Sequence, residues 1–289
     1  MKRYRYADRM QETECFVRDL VWTVNSPSLM DLTSQESVPT RPLKASDVGR
    51  EQLRSYLASH REERVGRYFE RLVVYWIRFI RRCEIVAHSL QLRDGKRTVG
   101  EIDLLFRDEQ GRLNHWELAC KFYLQLDVRD AAAADYIGPN ANDTLCKKAT
   151  RLLEHQLPLG DRYFPEIEVR EAFVKGRIFY HWKTGSKVSL PVELATDHLA
   201  ARWLRTREVP EFLRTGHLHY RILRKPFWLA DDVADPFDED ILTTDDAAKV
   251  IQNHFRRHQT PILISGFRDI TSPVSESERW FIVPNQWPH

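Results

Sequence analysis

The longest amphipathic pattern in the chain lies between residues 64 and 82. Apolar side chains recur there every three or four residues, a spacing that puts them on one face of an α-helix. They are Val65, Tyr68, Phe69, Leu72, Val73, Trp76, Ile77 and Ile80, and the arginines that mostly flank them are Arg67, Arg71, Arg78, Arg81 and Arg82. The pattern predicts a long helix with one buried face.

After this helix the apolar spacing shortens toward the period of a β-strand. Three strand-like segments follow, at residues 84–92, 98–107 and 113–126. Asp94-Gly95 is a strong hairpin signal between the first two, and the polar residues 108–111 form the next turn. Three strands joined by tight turns predict an antiparallel meander.

The rest of the chain predicts helices and strands in a less regular order. The predicted helices are 14–25, 46–60 capped by Ser46 or Asp47, 142–156 ended by Pro158, 197–204, 210–215 and 244–258 capped by Thr244. The predicted strands or extended segments are 168–180, 217–223, 226–230, 261–267 and 279–284, and the predicted loops are 33–47 and 231–240. Together these elements indicate an α/β (α+β) fold with a mixed sheet flanked by helices.

The chain is long enough for a core domain with appendages. Of its 289 residues, 42% are hydrophobic and 30% charged, which is typical of a folded globular protein. We expect an N-terminal helical extension over residues 1–60, a core over 61–190, and a C-terminal α/β extension over 191–289 packed on that core. The net charge of +2 is too balanced to indicate nucleic-acid binding, although a local basic groove would suffice for it.

Cysteine usage and hydropathy predict a cytoplasmic protein without a membrane partner. The four cysteines, Cys15, Cys83, Cys120 and Cys146, are widely separated, so reduced thiols are the simpler interpretation than a zinc site or a disulfide framework. The basic N-terminus is not followed by the apolar run that a signal peptide requires. The longest apolar stretch, residues 72–77, is far shorter than the ~20 residues of a membrane span.

The candidate chemistry lies on the second and third strands of the meander. Asp103 sits mid-strand among apolar residues, where aspartate is costly to bury unless it is paired or binds a metal. Glu117 and Lys121 are four residues apart on the next strand, so their side chains point to the same face. Pairing positions that sum to about 220, as expected for this hairpin, put Asp103 opposite Glu117.

Two carboxylates at close range repel each other, so a cation is expected between them. Oxygen ligands of this kind suit Mg²⁺ or Mn²⁺. A lysine beside them, here Lys121, could position the attacking water or stabilise charge that develops on a phosphate. The combination is what metal-assisted hydrolysis of a phosphodiester requires.

A strand with Gly100-Glu101-Ile102-Asp103, a turn, and a strand with Glu and Lys resembles the PD-(D/E)XK nuclease superfamily, which includes restriction endonucleases. The resemblance implies a restriction-endonuclease-like core in which Asp103 and Glu117 bind the metal and Lys121 assists catalysis. It also implies a further acidic residue on the preceding helix, which Glu70 matches. The chain departs from the usual Glu-x-Lys spacing, because residue 119 is Ala119 and Lys121 lies two residues further on, ~7 Å along the strand.

Nearly the whole chain also resembles the bacterial family DUF1853, whose role is unassigned. The segments that carry this resemblance are residues 17–22, 26–29, 98–103, 115–124, 138–140, 155–157, 227–229 and 280–284, together with Asp143 and Lys147. The resemblance is specific, yet it implies little biochemistry beyond the pattern of a nuclease-like family.

Other interpretations of these residues stay open. Asp103 could form a structural ion pair with Lys121 or an arginine. Glu101 could be a solvated strand residue and Glu70 the polar edge of its helix, whereas His115 is more typical of a packed or surface residue than of a ligand. Cations on the helix after the meander could be solvated or could contact phosphate, and Gln156 could line the same cleft; the candidates for this contact are Lys147, Lys148, Arg151 and Gln156.

These observations predict a metal-dependent nuclease that acts on DNA. The alternative is a catalytically inactive protein that keeps the nuclease fold as a scaffold for nucleic acid or a protein partner. Ala119 favours the scaffold, and the presence of all three charged groups favours the enzyme. The fold alone does not decide between them, and the oligomeric state stays open.

Overall fold

A computed structural model describes residues 2–32, 41–59, 64–95, 97–126, 132–183, 190–215 and 219–289. The chain forms two compact units, one of Met1–Lys121 with Lys148–Gly176 and the other of Phe122–Lys147 with Arg177–His289. The helices are Lys2–Asn25 (α1), Arg50–Ala58 (α2), Val65–Tyr75 (α3), Leu145–Arg151 (α4), Leu157–Tyr163 (α5), Val209–Thr215 (α6) and Thr244–Arg257 (α7). The division of the chain at residues 60 and 190 stays a prediction.

The strands are Glu84–Asp94 (β1), Arg97–Arg107 (β2), Leu113–Gln125 (β3), Tyr136–Ile137 (β4), Val169–His181 (β5), Ala200–Arg205 (β6), His219–Ile222 (β7), Val233–Ala234 (β8), Leu242–Thr243 (β9), Ile262–Phe267 (β10), Val274–Ser275 (β11) and Glu278–Val283 (β12). Ten of them form one sheet in the order β1-β2-β3-β5-β6-β12-β10-β7-β9, with β4 paired to β3. The pairs β1–β2 and β2–β3 are antiparallel, whereas β5–β6 and β6–β12 are parallel. The predictions of an antiparallel meander and of a mixed sheet flanked by helices are confirmed.

The first unit packs aromatic rings between β3 and α3. Trp116 stacks on Phe173 of β5 at a centroid distance of 4.9 Å and lies 6.0 Å from Trp76. Trp76 begins a π-helical turn, Trp76–Ile80, that continues α3, so the predicted helix over residues 64–82 is confirmed in its extent to within two residues. Because neighbouring strand residues point to opposite faces, His115 lies on the face of β3 away from this cluster.

The helix after the meander does not end at Pro158 as predicted. It runs through α4, a π-helical segment Leu152–Gln156 and α5, and Pro158 lies in the first turn of α5. The Leu157 N–H donates to the Leu152 carbonyl, five residues back, so the regular ladder of bonds between residues four apart is already interrupted where proline, which lacks an N–H group, follows. The widened turn before it therefore lets the chain continue as a helix to Tyr163.

The N-terminal helices also differ from their predicted bounds. The helix predicted over 14–25 begins at Lys2, because its first residues are too polar to show an apolar period. The helix predicted over 46–60 is shorter, and Ser46 and Asp47 form a 3-10 turn before it rather than its cap. Residues 33–40 of the predicted loop and residue 60 lie outside the described residues.

In the second unit the segment 197–204, predicted as a helix, contains strand β6 instead. Trp203 and Leu204 are fully buried there, and the ladder with β12 and β5 overrides local helix propensity. Segment 226–230 forms turns and bends and contains no strand. The strands predicted at 261–267 and 279–284 are confirmed as β10 and β12, and the helix predicted at 244–258 is α7, although its cap is Thr243, whose hydroxyl accepts from the Asp246 N–H at 3.3 Å.

Within the described residues, no helix combines the length and the apolar character needed to cross a bilayer.

Candidate functional site

Strands β2 and β3 bring two acidic side chains together. Leu104 pairs with Trp116 in the antiparallel ladder, which is the register that the predicted opposition of Asp103 and Glu117 requires. The backbone N–H of Leu118 donates to Oδ2 of Asp103 at 2.9 Å, and the charge of Glu117 acts directly on Asp103. We call Asp103 and Glu117 the carboxylate pair.

Burial makes the charged form of both groups costly. Glu117 is fully buried and Asp103 is half-buried. Loss of solvent raises the pKa of Asp103 to about 7, and the Glu117 charge adds to this rise. Burial likewise raises the pKa of Glu117 to about 7, although the Lys148 charge acts in the opposite direction. Among the described residues no lysine or arginine forms an ion pair with either carboxylate, so their mutual repulsion is only partly balanced.

Two side chains contact the Glu117 carboxylate, each at a different oxygen. Nε2 of His115 lies 2.8 Å from Oε1 of Glu117, and Nε2 of Gln156 donates to Oε2. His115 and Glu117 share a face of β3 because they are two residues apart, whereas Gln156 reaches the site from the π-helical segment before α5. The orientation of Glu117 is therefore fixed by one strand neighbour and one helix residue.

His115 is a neutral, enclosed imidazole. Burial lowers its pKa to about 4. When Glu117 is ionised, Nε2–H must donate to it, which leaves Nδ1 as an acceptor; within the described residues this buried atom has no hydrogen-bond partner. A Cβ on Gly160 of α5 would lie 2.5 Å from Nδ1, so the helix backbone packs directly against the ring.

Lys148 is the cation whose charge acts most strongly on the carboxylate pair. Its Nζ donates to Oε1 of Gln156 at 3.0 Å, and its charge acts on both Asp103 and Glu117. Burial lowers the pKa of Lys148, and the neighbouring Lys121 lowers it further. Lys121, the lysine predicted for the catalytic role, is half-buried and next to Lys148, but Lys148 acts more directly on the carboxylate pair.

A second acidic group flanks the pair on the side of α3. Nη1 of Arg67 lies 2.9 Å from Oε2 of Glu70. Burial raises the pKa of Glu70, and the charges of Asp103 and Glu101 contribute to the rise. Glu70 is thus electrostatically coupled to the pair, but Arg67 already neutralises it.

The other residues singled out in the sequence lie in different environments. Arg151 is exposed, and its charge acts on Glu117. Lys147 is exposed, and its backbone N–H donates to Oγ1 of Thr144 at 3.2 Å. Gln156, predicted to line the cleft, contacts Glu117 directly. His115 was predicted to be a packed or surface residue; it is packed, and its even spacing from Glu117 was the signal that it shares the site.

The described residues do not supply a complete set of ligands for a metal ion. Across the described residues, no group of three or more His, Cys, Asp or Glu side chains has the arrangement of a metal site. The carboxylate pair alone would supply two oxygen ligands of a cation. Mg²⁺ commonly keeps several waters and needs only one or two protein carboxylates, so its other ligands would be solvent or substrate.

Comparison with known proteins identifies one family. The model of DUF1853, a domain of unknown function, matches residues 18–283. No curated protein and no solved structure matches the chain.

Proposed function

The chain belongs to the DUF1853 family, and we propose that it is a metal-dependent nuclease that hydrolyses phosphodiester bonds in DNA. The observation that carries the proposal is the carboxylate pair, two acidic groups from adjacent strands that meet in a buried setting with no ion-pair partner among the described residues. A protein gains little from such repulsion unless a cation relieves it. The setting on β2 and β3 also agrees with a restriction-endonuclease-like core of the PD-(D/E)XK superfamily.

The residues of the pair fit a hard divalent cation in charge and in donor type. Asp103 and Glu117 would hold Mg²⁺ or Mn²⁺, which would supply a Lewis acid for the phosphate. Gln156 and His115 orient Glu117 toward that role. Both oxygens of Glu117 already accept hydrogen bonds, so the cation would share an oxygen with one of these donors.

Lys148 is the side chain best placed to stabilise negative charge on a phosphate. Its Nζ donates to Oε1 of Gln156, and Nε2 of the same amide donates to Glu117. One side chain therefore sets the spacing between the Lys148 ammonium group and the Glu117 carboxylate. Preorganised cations of this kind act most strongly where water is excluded. Lys121 lies close enough to Lys148 to share the role, which would compensate for the missing lysine at position 119.

A scaffold that binds nucleic acid or a protein partner is the second candidate. It is favoured by Ala119, which is buried at the position where the usual pattern has lysine, and by the full set of internal hydrogen bonds on Glu117. Under this alternative the pair would hold a shared proton instead of a cation, and no strand would be cleaved.

Metal binding and cleavage test the proposal together. We expect Mn²⁺ to give a heat of binding and to raise the melting temperature by mass action. Asp103→Asn and Glu117→Gln should each abolish that heat and reduce cleavage of linear, branched and single-stranded DNA by at least ~100-fold, a typical loss for a group that stabilises the transition state. Asp94→Asn, at an exposed turn, is the matched control and should behave as wild type. Wild-type protein that neither binds Mn²⁺ nor cleaves any substrate would leave the scaffold.

A further inference from the structure

One face of α3 and its π-helical continuation carries a row of arginines. Arg67 and Arg71 lie about 40° apart around α3 at 3.6 residues per turn, opposite the buried Phe69, and Arg78 follows in the π-helical segment. They span about 16 Å of helix at ~1.5 Å per residue. We call these three residues the arginine face.

The arginine face is poorly neutralised. Neither Arg71 nor Arg78 forms an ion pair with a carboxylate of the described residues, and Nε of Arg71 is buried without a hydrogen-bond partner there. Arg78 is exposed and Arg71 half-buried. An ordinary solvated helix face mixes both signs of charge and pairs them at a spacing of three or four residues. Here only Arg67 has such a partner, Glu70.

One end of the arginine face lies at Glu70, whose charge is coupled to Asp103 of the carboxylate pair. The charge of Arg67 acts on Glu70, Glu101 and Asp103, which raise its pKa together. Nη1 of Arg67 donates to Oγ of Ser89 in β1 at 3.4 Å, and burial together with the charges of Arg71 and Arg67 lowers the pKa of His88 on the same strand. The row therefore runs beside β1 from the end that carries Glu70.

The other end of the row meets aromatic rings. Tyr56 of α2 and Phe79 are half-buried and pack edge to face at a centroid distance of 5.7 Å. The charges of Arg71 and Arg78 both act on the Tyr56 hydroxyl, which places the ring beside the row. Cations that follow a strand next to aromatic rings that stack on bases are the usual combination for single-strand binding.

We propose that the arginine face binds the phosphate backbone of a single-stranded nucleic acid and leads that strand to the carboxylate pair, with Tyr56 and Phe79 offering rings to its bases. This rests on the proposed function for the use of the strand, but the binding itself does not require cleavage. A length of about 16 Å is several times the ~3.4 Å axial spacing of phosphates on one strand of a duplex, enough for each arginine to meet a separate phosphate even where a single strand is more extended.

The salt dependence of binding tests the proposal. A labelled single strand and its duplex would be titrated in EDTA at several salt concentrations, with fluorescence anisotropy as the readout. For the single strand, Arg71→Gln/Arg78→Gln should flatten the slope of log K against log salt by about 1.4, that is by about 0.7 for each lost phosphate contact. Arg93→Gln/Arg97→Gln, which removes the same charge from exposed positions at the β1–β2 hairpin, should keep the wild-type slope.

Loss of an aromatic ring should change binding differently from loss of the arginines. Tyr56→Leu should weaken single-strand binding roughly tenfold at an unchanged salt slope, because stacking involves no counterion release. Duplex binding should not respond to it. Melting of each variant in EDTA separates loss of contact from loss of fold, and the single variants Arg71→Gln and Arg78→Gln replace the double variant if it melts early.

Three outcomes would overturn the inference. They are a wild-type slope in Arg71→Gln/Arg78→Gln, an equal loss in the control pair, and a response confined to the duplex. Wild-type protein that binds no strand would remove the inference as well. Binding that follows the arginine face but is never accompanied by cleavage would remove only the nuclease activity and leave the strand-binding surface standing.

Discussion

The two units each bury a cluster of charges, and the clusters are balanced in opposite ways. In the first unit Asp103 and Glu117 face each other with no ion-pair partner among the described residues. In the second unit the buried Arg221 bonds to three carboxylates, those of Asp232, Asp238 and Asp240. Burial acts to lower the pKa of Arg221, yet the three acidic neighbours raise it overall.

Under the proposed function, the difference separates a cluster that serves the fold from one that serves chemistry. Around Arg221 every charge has an opposite charge or a hydrogen bond, and Oγ of Ser265 also donates to Asp232 at 2.7 Å. Such a network satisfies itself and holds the segment 231–240 in one conformation. The carboxylate pair has hydrogen bonds but no lysine or arginine in an ion pair with it among the described residues, and the proposed function assigns the balancing charge to a bound cation.

The largest expected effect sharpens the contrast between Lys148 and Lys121. Lys148→Ala should reduce cleavage by about 100- to 1000-fold, the typical loss for one preorganised group that stabilises transition-state charge. Lys121→Ala should cost about tenfold or less, since Lys121 acts on the pair mainly through Lys148. Single-turnover cleavage rates at saturating Mn²⁺ give the comparison.

Lys148→Ala should not melt early, because removing a half-buried cation with a lowered pKa relieves a desolvation cost. The reverse order of rates, with Lys121→Ala the slower enzyme, would return the catalytic role to the lysine that the family resemblance indicates.

The second-largest expected effect concerns Arg221 and its three carboxylates. Arg221→Met leaves three carboxylates without their cation, and breaking a buried pair in this way costs about 3–5 kcal/mol. We expect this loss in the free energy of unfolding by urea, with the affinity for Mn²⁺ unchanged. Arg224→Met, at an exposed position in the same region, is the control and should unfold as wild type does. A large loss of Mn²⁺ affinity in Arg221→Met would contradict the separation of roles.

Close packing of α5 against the site predicts a smaller effect. The added methyl group of Gly160→Ala would meet His115 at 2.5 Å and Ile167 at 3.1 Å, so the ring and the helix must move apart. Overpacking of this kind costs about 1–3 kcal/mol. Because the ring holds Glu117, Mn²⁺ affinity should fall as well, which calorimetry would detect.

A matched glycine separates this clash from a general backbone effect. A Cβ on Gly66 in α3 would meet nothing within 4 Å, so Gly66→Ala should stabilise the protein by about 0.4–1 kcal/mol. If Gly160→Ala behaved like Gly66→Ala, His115 would be mobile and could not position Glu117.

The sequence predicted elements best where the hydrophobic period was long and unbroken. The apolar stripe of α3 and the alternation of the meander identified both elements, and the turn at 108–111 set the register that opposes Asp103 to Glu117. Strand β6 was missed because its local sequence suits a helix and only the parallel ladder imposes a strand. Pro158 was misread because the π-helical segment before it leaves no trace in the apolar spacing.

For the site, the sequence predicted which residues share a face of a strand, but not which residues of a helix contact that face. The even separation of residues 115, 117 and 121 places them on one face of β3 without any structure. The roles of Gln156 and Lys148 depend on how the helix after the meander docks on that face, which two glycines at the contact permit, Gly100 and Gly160. Which of several cations on a helix reaches a buried carboxylate is decided by that docking.

The smallest effect is the response of stability to pH in the absence of metal. The pKa of Asp103 is about 7 in the folded protein, above its ordinary value of 3.8. Between these values the folded state binds a proton that the unfolded state has released, so stability should rise as pH falls from about 7 toward 4. One proton is worth at most ~1.4 kcal/mol per pH unit, and partial solvent access at Asp103 should reduce the total to on the order of 1 kcal/mol. Urea unfolding at pH 5 and pH 8 in EDTA measures the change, and Asp103→Asn should diminish it while raising stability at pH 8. Glu117, whose pKa burial also raises to about 7, titrates over the same range, and its contribution changes in Asp103→Asn because the two groups are coupled. Glu171, whose pKa burial raises to about 7 as well, is not coupled to Asp103 and cancels in the difference. A variant less stable than wild type at pH 8 would mean that the Asp103 charge is paired after all, and the contrast with the Arg221 cluster would fail.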